Sequence, residues 1–497
     1  MSSPNDQSSR PPVNQWKTLD KDLKRLSAVE QVTTFAARPL VAPGIAIAFM
    51  VLVATLVLAW TGIKPGSFVV VAAAVVGAYM ALNIGANDVA NNMGPAVGAN
   101  ALTLGGALLI AAVFETAGAL IAGGDVVSTI ASGIVAPEAV ADSRIFVWAM
   151  LAALLAAALW LNLATVIGAP VSTTHSIVGG VVGAGIVAAG VSAVNWGGLG
   201  KIAASWVISP VMGGVIAAGF LAFIKYRILY QPDKIAAARR WVPVLIGVMV
   251  GAFAAYLALK GLSRVVKIGL SSAMLIGLAF GAVAWLLSVP LIRRQSVGLE
   301  NRKKSIRKLF ALPLVCSAAL LSFAHGANDV ANAVGPLAAI VHVINDEGVG
   351  ATVGIPFWVM AIGAAGISFG LVLFGPKLIR LVGSQITKLN PMRGYCVALS
   401  AAVTVIVASW LGLPVSSTHI AVGAVFGVGF FREWHAERRA RQLNTRKGKA
   451  VPDEERARRK LVRRSHFITV AAAWVVTVPA SAGLSALLFV LLRGLSS

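Results

Sequence analysis

Long apolar runs, broken by short polar stretches, dominate this chain. Residues 67–87 and 151–200 contain no Lys, Arg, Asp or Glu, and each reaches the ~20 residues a helix needs to cross hydrocarbon. Lipid offers no partner to a bare backbone N–H, so such runs predict membrane-spanning helices. The pattern places spans near 41–62, 67–95, 105–123, 145–165, 168–190, 202–224, 241–260, 269–292, 309–340, 355–376, 395–411, 412–431 and 465–493. An all-α polytopic membrane protein follows. The run 41–62 starts too late and is too long for a cleaved signal peptide. It is an extra N-terminal span behind a polar cytoplasmic tail, 1–40.

Polar positions inside these runs are few, and they recur. "GANDVANNMGPAVGA" (85–99) returns as "GANDVANAVGPLAA" (326–339), an offset of 241 from Gly85 to Gly326. "GAPVSTTHSIVGGVVGAG" (168–185) returns as "GLPVSSTHIAVGAVFGVG" (412–429), an offset of 244 from Gly168 to Gly412. "SWVISPVMGG" (205–214) has a weaker echo in "AWVVTVPASAG" (473–483). A duplicated unit explains all three. It divides the chain into a first repeat, 67–224, a linker with two spans and basic cytoplasmic loops, 225–308, and a second repeat, 309–493, with a basic insert at 432–464.

Charge adds an orientation. The formal net charge is +23 although only 12% of residues are charged. The basic residues sit between apolar runs, without the interleaved aromatics of a nucleic-acid stacking platform. They are read as cytoplasmic loops that hold topology and touch anionic lipid. With loops 225–240, 293–308 and 432–464 inside, loop 124–144, bearing Asp125, Glu138 and Asp142, lies outside. Its counterpart 377–393, bearing Lys377, Arg380, Lys388 and Arg393, lies inside. Equivalent loops on opposite sides mean two inverted-topology repeats. The N-terminus is then cytoplasmic and the C-terminus outside. Lys260, Arg264 and Lys267 form the one dissenting loop. The two cysteines, Cys316 and Cys396, lack metal-ligand spacing and are expected as small packing residues.

The chemistry lies in the repeated motifs. Pro170 and Pro414 suit the first turn of a helix, and Ser172, Thr173, Thr174, Ser416, Ser417 and Thr418 offer hydroxyls beside unpaired backbone N–H groups. Two such helix starts, arriving from opposite sides, can converge on one anion. In the other motif, Asn87, Asp88 and Asn91 have twins in Asn328, Asp329 and Asn332. Gly85, Gly326 and the Gly-Pro pairs at 94–95 and 335–336 permit broken or re-entrant helices. Polar and ionised side chains in a span mark a pathway. No Lys or Arg lies within 68–143 or 310–375, whereas Asp88, Asp329 and Glu115 do. Carboxylates repel an anion unless cations arrive with it or the carboxylates are protonated. Cation-coupled anion symport is the expectation. An intramembrane enzyme would need a nucleophile–base pair, for which only Ser/Thr with His175 or His419 is available. An anion channel would favour basic residues in its pore. His325 precedes only the second "GAND".

In these stretches, together with "FETAG" around Glu115, the chain resembles the inorganic phosphate transporter (PiT) family. The resemblance covers about 67–493 and implies about 12 family spans in two inverted repeats, with the span at 41–62 added. It implies a carrier, not an enzyme, that imports inorganic phosphate by alternating access with Na⁺ or H⁺, or as a metal–phosphate complex. Carried over by match, Asn87, Asp88, Asn91, Ser172, Thr173, Thr174, Asn328, Asp329, Asn332, Ser416, Ser417 and Thr418 would hold phosphate. Asp88, Asn91, Asp329, Asn332 and Glu115 would be the candidates for Na⁺. Ala398 stands about where some sodium-coupled relatives carry a second acid. Sulfate is the rival substrate. A hydrogen phosphate can donate to Asp88 and Asp329, while sulfate has no proton to give. Expected partners are phosphate, the coupling cation and cell-membrane lipid, with no cofactor and no nucleic acid; a homodimer is an open arrangement.

Overall fold

The computed structural model describes residues 40–64, 66–140, 142–167, 171–262, 266–345, 354–385, 390–447 and 464–496. The expected tail 1–40 lies almost wholly outside these, as does 448–463 of the basic insert. Contacts divide the chain into residues 1–49 and 50–497. The first unit is described only by the start of one apolar helix, Leu40–Thr61; everything below concerns the second.

The helices are α1 (Leu40–Thr61), α2 (Ser67–Gly98), α3 (Leu104–Ala122), α4 (Gly124–Ser132), α5 (Ser143–Ile167), α6 (Thr173–Ala189), α7 (Trp196–Ile224), α8 (Lys234–Lys260), α9 (Leu270–Gln295), α10 (Lys303–Leu309), α11 (Ala311–Ile344), α12 (Phe357–Gln385), α13 (Pro391–Trp410), α14 (Ser417–Lys447) and α15 (Arg464–Ser496). A π-helical turn, Lys225–Leu229, ends α7. Among the described residues there is no strand, only an isolated bridge between Val135 and Val194. Among the described residues eleven helices are long and apolar enough to cross a membrane, against thirteen expected runs. The two that fall short are α6, a shorter apolar helix, and α14, whose apolar part ends before Arg432. Both begin at a hydroxyl motif.

One expectation fails. The "GAND" glycines do not break their helices: α2 runs unbroken through Gly94 and Pro95, and α11 through Gly335 and Pro336. The glycines serve packing instead. A Cβ on Gly85 would collide with the carbonyl of Ile367 on α12, and a Cβ on Gly326 with the carbonyl of Glu115 on α3. From the other side, Gly370 of α12 meets Leu82 of α2, and Gly118 of α3 meets Phe323 of α11. The break falls elsewhere, between Trp410 and Ser417, where Gly412 has a φ of 66°. The left-handed region at that corner favours a residue without a Cβ.

The hydroxyl helices follow the same rule. Gly179 and Gly183 of α6 press on Val478 and Ala482 of α15, while Gly423 and Gly427 of α14 press on Pro210 and Gly214 of α7. The weak third echo thus acquires a location, since its two copies are the partners of α14 and α6. In all four crossings a helix of 67–224 meets a helix of 309–493. Small residues let helix backbones approach in lipid, where no hydrophobic force drives association.

The dissenting Lys260 is paired with Asp125 at the start of α4. This ties the dissenting loop to the acidic one. Both cysteines are free, Cys396 buried and Cys316 half-buried.

The crossings predict unequal costs for one substitution. Gly326→Ala should lower stability by about 1–3 kcal/mol through overpacking, because the obstacle is backbone. Gly105→Ala on α3, with nothing within 4 Å of the new Cβ, should be neutral or stabilising. Thermal unfolding of the two purified variants in detergent checks this.

Candidate functional site

The two hydroxyl helices start alike. Ser172 Oγ accepts the backbone N–H of His175 at 3.2 Å, and Ser416 Oγ accepts that of His419 at 3.3 Å. Both serines therefore act as N-caps, and Ser172 Oγ also lies 2.8 Å from His175 Nδ1. This corrects the placement of Pro414, which lies before the cap rather than in the first turn; Pro170 lies outside the described residues. Capping leaves Thr173, Thr174, Ser417 and Thr418 in the first turns, all buried. His175 stacks on Trp206 at 3.7 Å between ring centres and meets His419 edge-on at 4.7 Å. Trp206 Nε1 donates to the Pro414 carbonyl at 3.0 Å. These rings hold the two helix starts side by side.

The Asn-Asp motifs reach those hydroxyls across the halves. Asn91 Nδ2 donates to Thr418 Oγ1 at 2.8 Å, and Thr418 Oγ1 donates to Asp88 Oδ1 at 2.9 Å. In the reciprocal direction, Asn332 Nδ2 donates to Thr173 Oγ1 at 3.3 Å and Thr174 Oγ1 at 3.2 Å. Ser417 Oγ donates to Asp329 Oδ2 at 3.0 Å, and Thr174 Oγ1 to the Val415 carbonyl at 2.9 Å. Asn87 is only half-buried and donates to Asp88 Oδ1 at 3.1 Å. Asn328 holds the chain break: it accepts from Val415 N and donates to Ser409 Oγ and the Leu413 carbonyl. The expected residues thus form one network, with Asn328, Ser172 and Ser416 at its frame and Asn87 at its edge.

Beside it lies a cluster of carboxylates. Asp88, Glu115 and Asp329 are at most 1% exposed, and so is the imidazole of His325 among them. His325 Nε2 lies 2.9 Å from Asp329 Oδ2 and 3.7 Å from Asp88 Oδ2; Nδ1 lies 3.3 Å from Glu115 Oε2. Asn92 Nδ2 donates to Glu115 Oε1 at 2.9 Å. Asp88 Oδ2, Asn92 Oδ1, Glu115 Oε2, Asp329 Oδ1 and Asn332 Oδ1 are buried without a hydrogen-bond donor among the described residues. One ligand atom each from Asp88, His325 and Asp329 lies within 4.8 Å of the others. No Lys or Arg occurs on α2, α3 or α11. Two carboxylates ~4 Å apart repel by about 4 kcal/mol at an effective dielectric near 20. Oxygen-rich and short of positive charge, the cluster has the donor set of a hard-cation site.

Asn92 and the central place of His325 escaped the sequence reading. The signal was the difference between copies rather than their likeness. At the repeat offset, Asn92 corresponds to Ala333 and His325 to Ile84. Through the glycine crossings, Glu115 corresponds to Ile367. At these three places the copies disagree, and Asn92, Glu115 and His325 join the shared Asp88 and Asp329 in the cluster. Next to Glu115 the reciprocal pair meets directly, with Thr116 Oγ1 and Ser368 Oγ 2.6 Å apart.

Fold and sequence together define a multi-pass membrane transporter. The chain belongs to the Phosphate transporter family, whose sequence profile matches residues 84–485, and the PiT resemblance stands. A protein of Helicobacter pylori (strain J99) named as a phosphate permease is 45% identical over 525 aligned positions, covering 95% of this chain and 98% of its own length. A Pyrococcus abyssi protein named in the same way is 37% identical, covering 84% of this chain and 96% of its own length. A solved structure titled "The sodium-dependent phosphate transporter" superposes with a TM-score of 0.77 at 36% identity, covering 86% of this chain and 99% of that one.

The cross-half bonds generate a prediction. Thr418→Val removes a hydroxyl that donates to Asp88 and accepts from Asn91, while keeping the side chain's shape. Leaving buried polar groups without partners costs about 1–3 kcal/mol, so thermal unfolding in detergent should register the loss.

Proposed function

We propose that this chain is a symporter that imports inorganic phosphate across the cell membrane by alternating access, driven by a cation gradient with Na⁺ favoured over H⁺. One observation carries the coupling. Ser417 and Thr418, the hydroxyls proposed for the anion, are bonded to Asp329 and Asp88, the carboxylates proposed for the cation. A phosphate that accepts hydrogen bonds from those hydroxyls strips each carboxylate of a donor. The freed oxygens then gain from a cation, whose charge in turn offsets that of the anion. Each ligand thereby favours the other, as reciprocal linkage requires.

Phosphate would sit among Thr173, Thr174, Ser417 and Thr418, with first-turn N–H groups of α6 and α14 adding positive potential. The Na⁺ candidates are Asp88, Asn91, Asp329, Asn332 and Glu115. The sodium-dependent title of the structural neighbour supports Na⁺, as does the oxygen-rich donor set. Two repeats of inverted topology fit the reciprocal crossings, and rocking of one set of helices against the other would open the site to each side in turn. The loop assignment keeps the N-terminus cytoplasmic and the C-terminus outside. Nothing in this cycle breaks a bond in the substrate, so the protein acts as a permease and not as an enzyme. Sulfate remains the alternative, disfavoured because it brings no proton to Asp88 or Asp329.

Purified protein in liposomes should accumulate labelled phosphate when an inward Na⁺ gradient is imposed, and unlabelled sulfate should compete poorly. Uptake indifferent to both Na⁺ and H⁺ gradients would refute symport. Asp88→Asn and Asp329→Asn should each lower gradient-driven uptake by about tenfold or more, the scale of losing one charge-assisted contact of 1.5–3 kcal/mol. Equal loss of binding without loss of coupling would assign the two acids to the anion alone.

A further inference from the structure

Four segments far apart in sequence bring basic side chains to one place. They are the turn after α7 with Lys225, α10 with Lys303 and Arg307, the first turn of α13 with Arg393, and α14 with Arg432. Arg432, Arg393 and Lys303 lie near enough to Lys225 to repel its charge, and Arg307 acts in the same way on Arg393 and Arg432. Lys225, Arg393 and Arg432 are half-buried. Among the described residues no carboxylate lies within ion-pair distance of any of the five; the one acid that acts on the cluster is Glu433, next to Arg432. Like charges drawn partly out of water without counter-charge favour a bound anion.

An apolar groove of about 670 Å³ adjoins this cluster between α7 and α14, lined by Val207, Val211, Val215, Phe426, Phe430 and Trp434 among others. Phe431 joins the two: it lines the groove, and Lys225 Nζ sits 4.8 Å from its ring centre. Arg227 packs over Trp241 at 5.4 Å and Arg438 over Trp434 at 5.4 Å. Aromatic rings beside basic groups mark the depth of lipid headgroups. Lipid tails are as apolar as leucine, so the groove alone offers an acyl chain little net gain. Selectivity has to come from the cations.

We propose that the groove and the five basic residues form a binding site for one anionic glycerophospholipid, its headgroup phosphate held by Lys225, Arg307, Arg393 and Arg432 and one acyl chain lying between α7 and α14. The reading is independent of the phosphate site, which is built from α2, α3, α6 and α11 with only the first turn of α14.

The test is native mass spectrometry of the delipidated full-length protein with added phosphatidylglycerol or with phosphatidylcholine of identical chains. Phosphatidylglycerol should bind about tenfold more tightly or better, because basic residues near a membrane surface favour anionic headgroups. The double variant Arg393→Gln/Arg432→Gln, and separately Lys225→Gln, should reduce that preference towards one. Val211→Trp fills the groove at a position 61% exposed and should weaken phosphatidylglycerol while all five cations remain. A melting temperature measured on each variant separates lost binding from lost folding. Equal binding of the two lipids would overturn the proposal. Displacement of phosphatidylglycerol by millimolar inorganic phosphate, with Val211→Trp inert, would instead assign the cations to a free anion. If Val211→Trp changed the oligomeric state and left lipid binding intact, the groove would be an interface between copies.

Discussion

Three carboxylates buried in the membrane-spanning bundle, with no lysine or arginine on their helices, are the constraint around which this protein is built. Withdrawing an ion from water costs several kcal/mol even after relaxation. Asp88, Glu115 and Asp329 recover part of that from hydroxyls, two amides and one imidazole. Several of their oxygens still lack donors. Under the proposed symport, a site in this condition would take a cation because its own composition demands charge. On the same proposal the hydroxyl helices would be the second party to a shared set of bonds, and competition for those bonds would join the two ligands. No long-range relay is needed, because the groups that would be coupled are in contact.

Interlocking of the halves holds this cluster together. The close crossings around the site join a helix of 67–224 to one of 309–493, through Gly85 and Gly370, Gly118 and Gly326, Gly183 and Gly427. The duplicated motifs supply a near-symmetric frame, and the departures from symmetry supply the charge. Ile367 stands opposite Glu115, Ile84 opposite His325 and Ala333 opposite Asn92. If alternating access operates as proposed, the two conformations that expose such a site to opposite sides would not be equivalent in energy, since only one half carries the extra acid.

Much of this was legible in the sequence, for identifiable reasons. Apolar run length declared the spans, because lipid leaves the backbone no other solution. Duplication exposed the Asn-Asp and hydroxyl motifs, because two copies of a costly residue outweigh chance. The same reasoning misjudged Gly85 and Gly326. A glycine in a helix permits either a bend or a close neighbour, and only the partner helix decides which. It also passed over Asn92, and it noted His325 beside the second "GAND" without placing it among the carboxylates, since likeness between copies carried more weight than difference. The basic loops were assigned one by one; their convergence around Lys225 and Arg432 depends on tertiary packing that no local pattern records.

The crossing of α6 with α15 bears on how the chain is made. Helix α6 is short, starts at a buried hydroxyl turn and packs through Gly179 and Gly183 on a helix that begins only at Arg464. During synthesis it enters the bilayer more than half a chain length before its partner exists. Neither half of the protein can complete its own pocket, so assembly must wait for the last helix. Truncation near the C-terminus would therefore remove the support of α5 and α6, far upstream in the sequence.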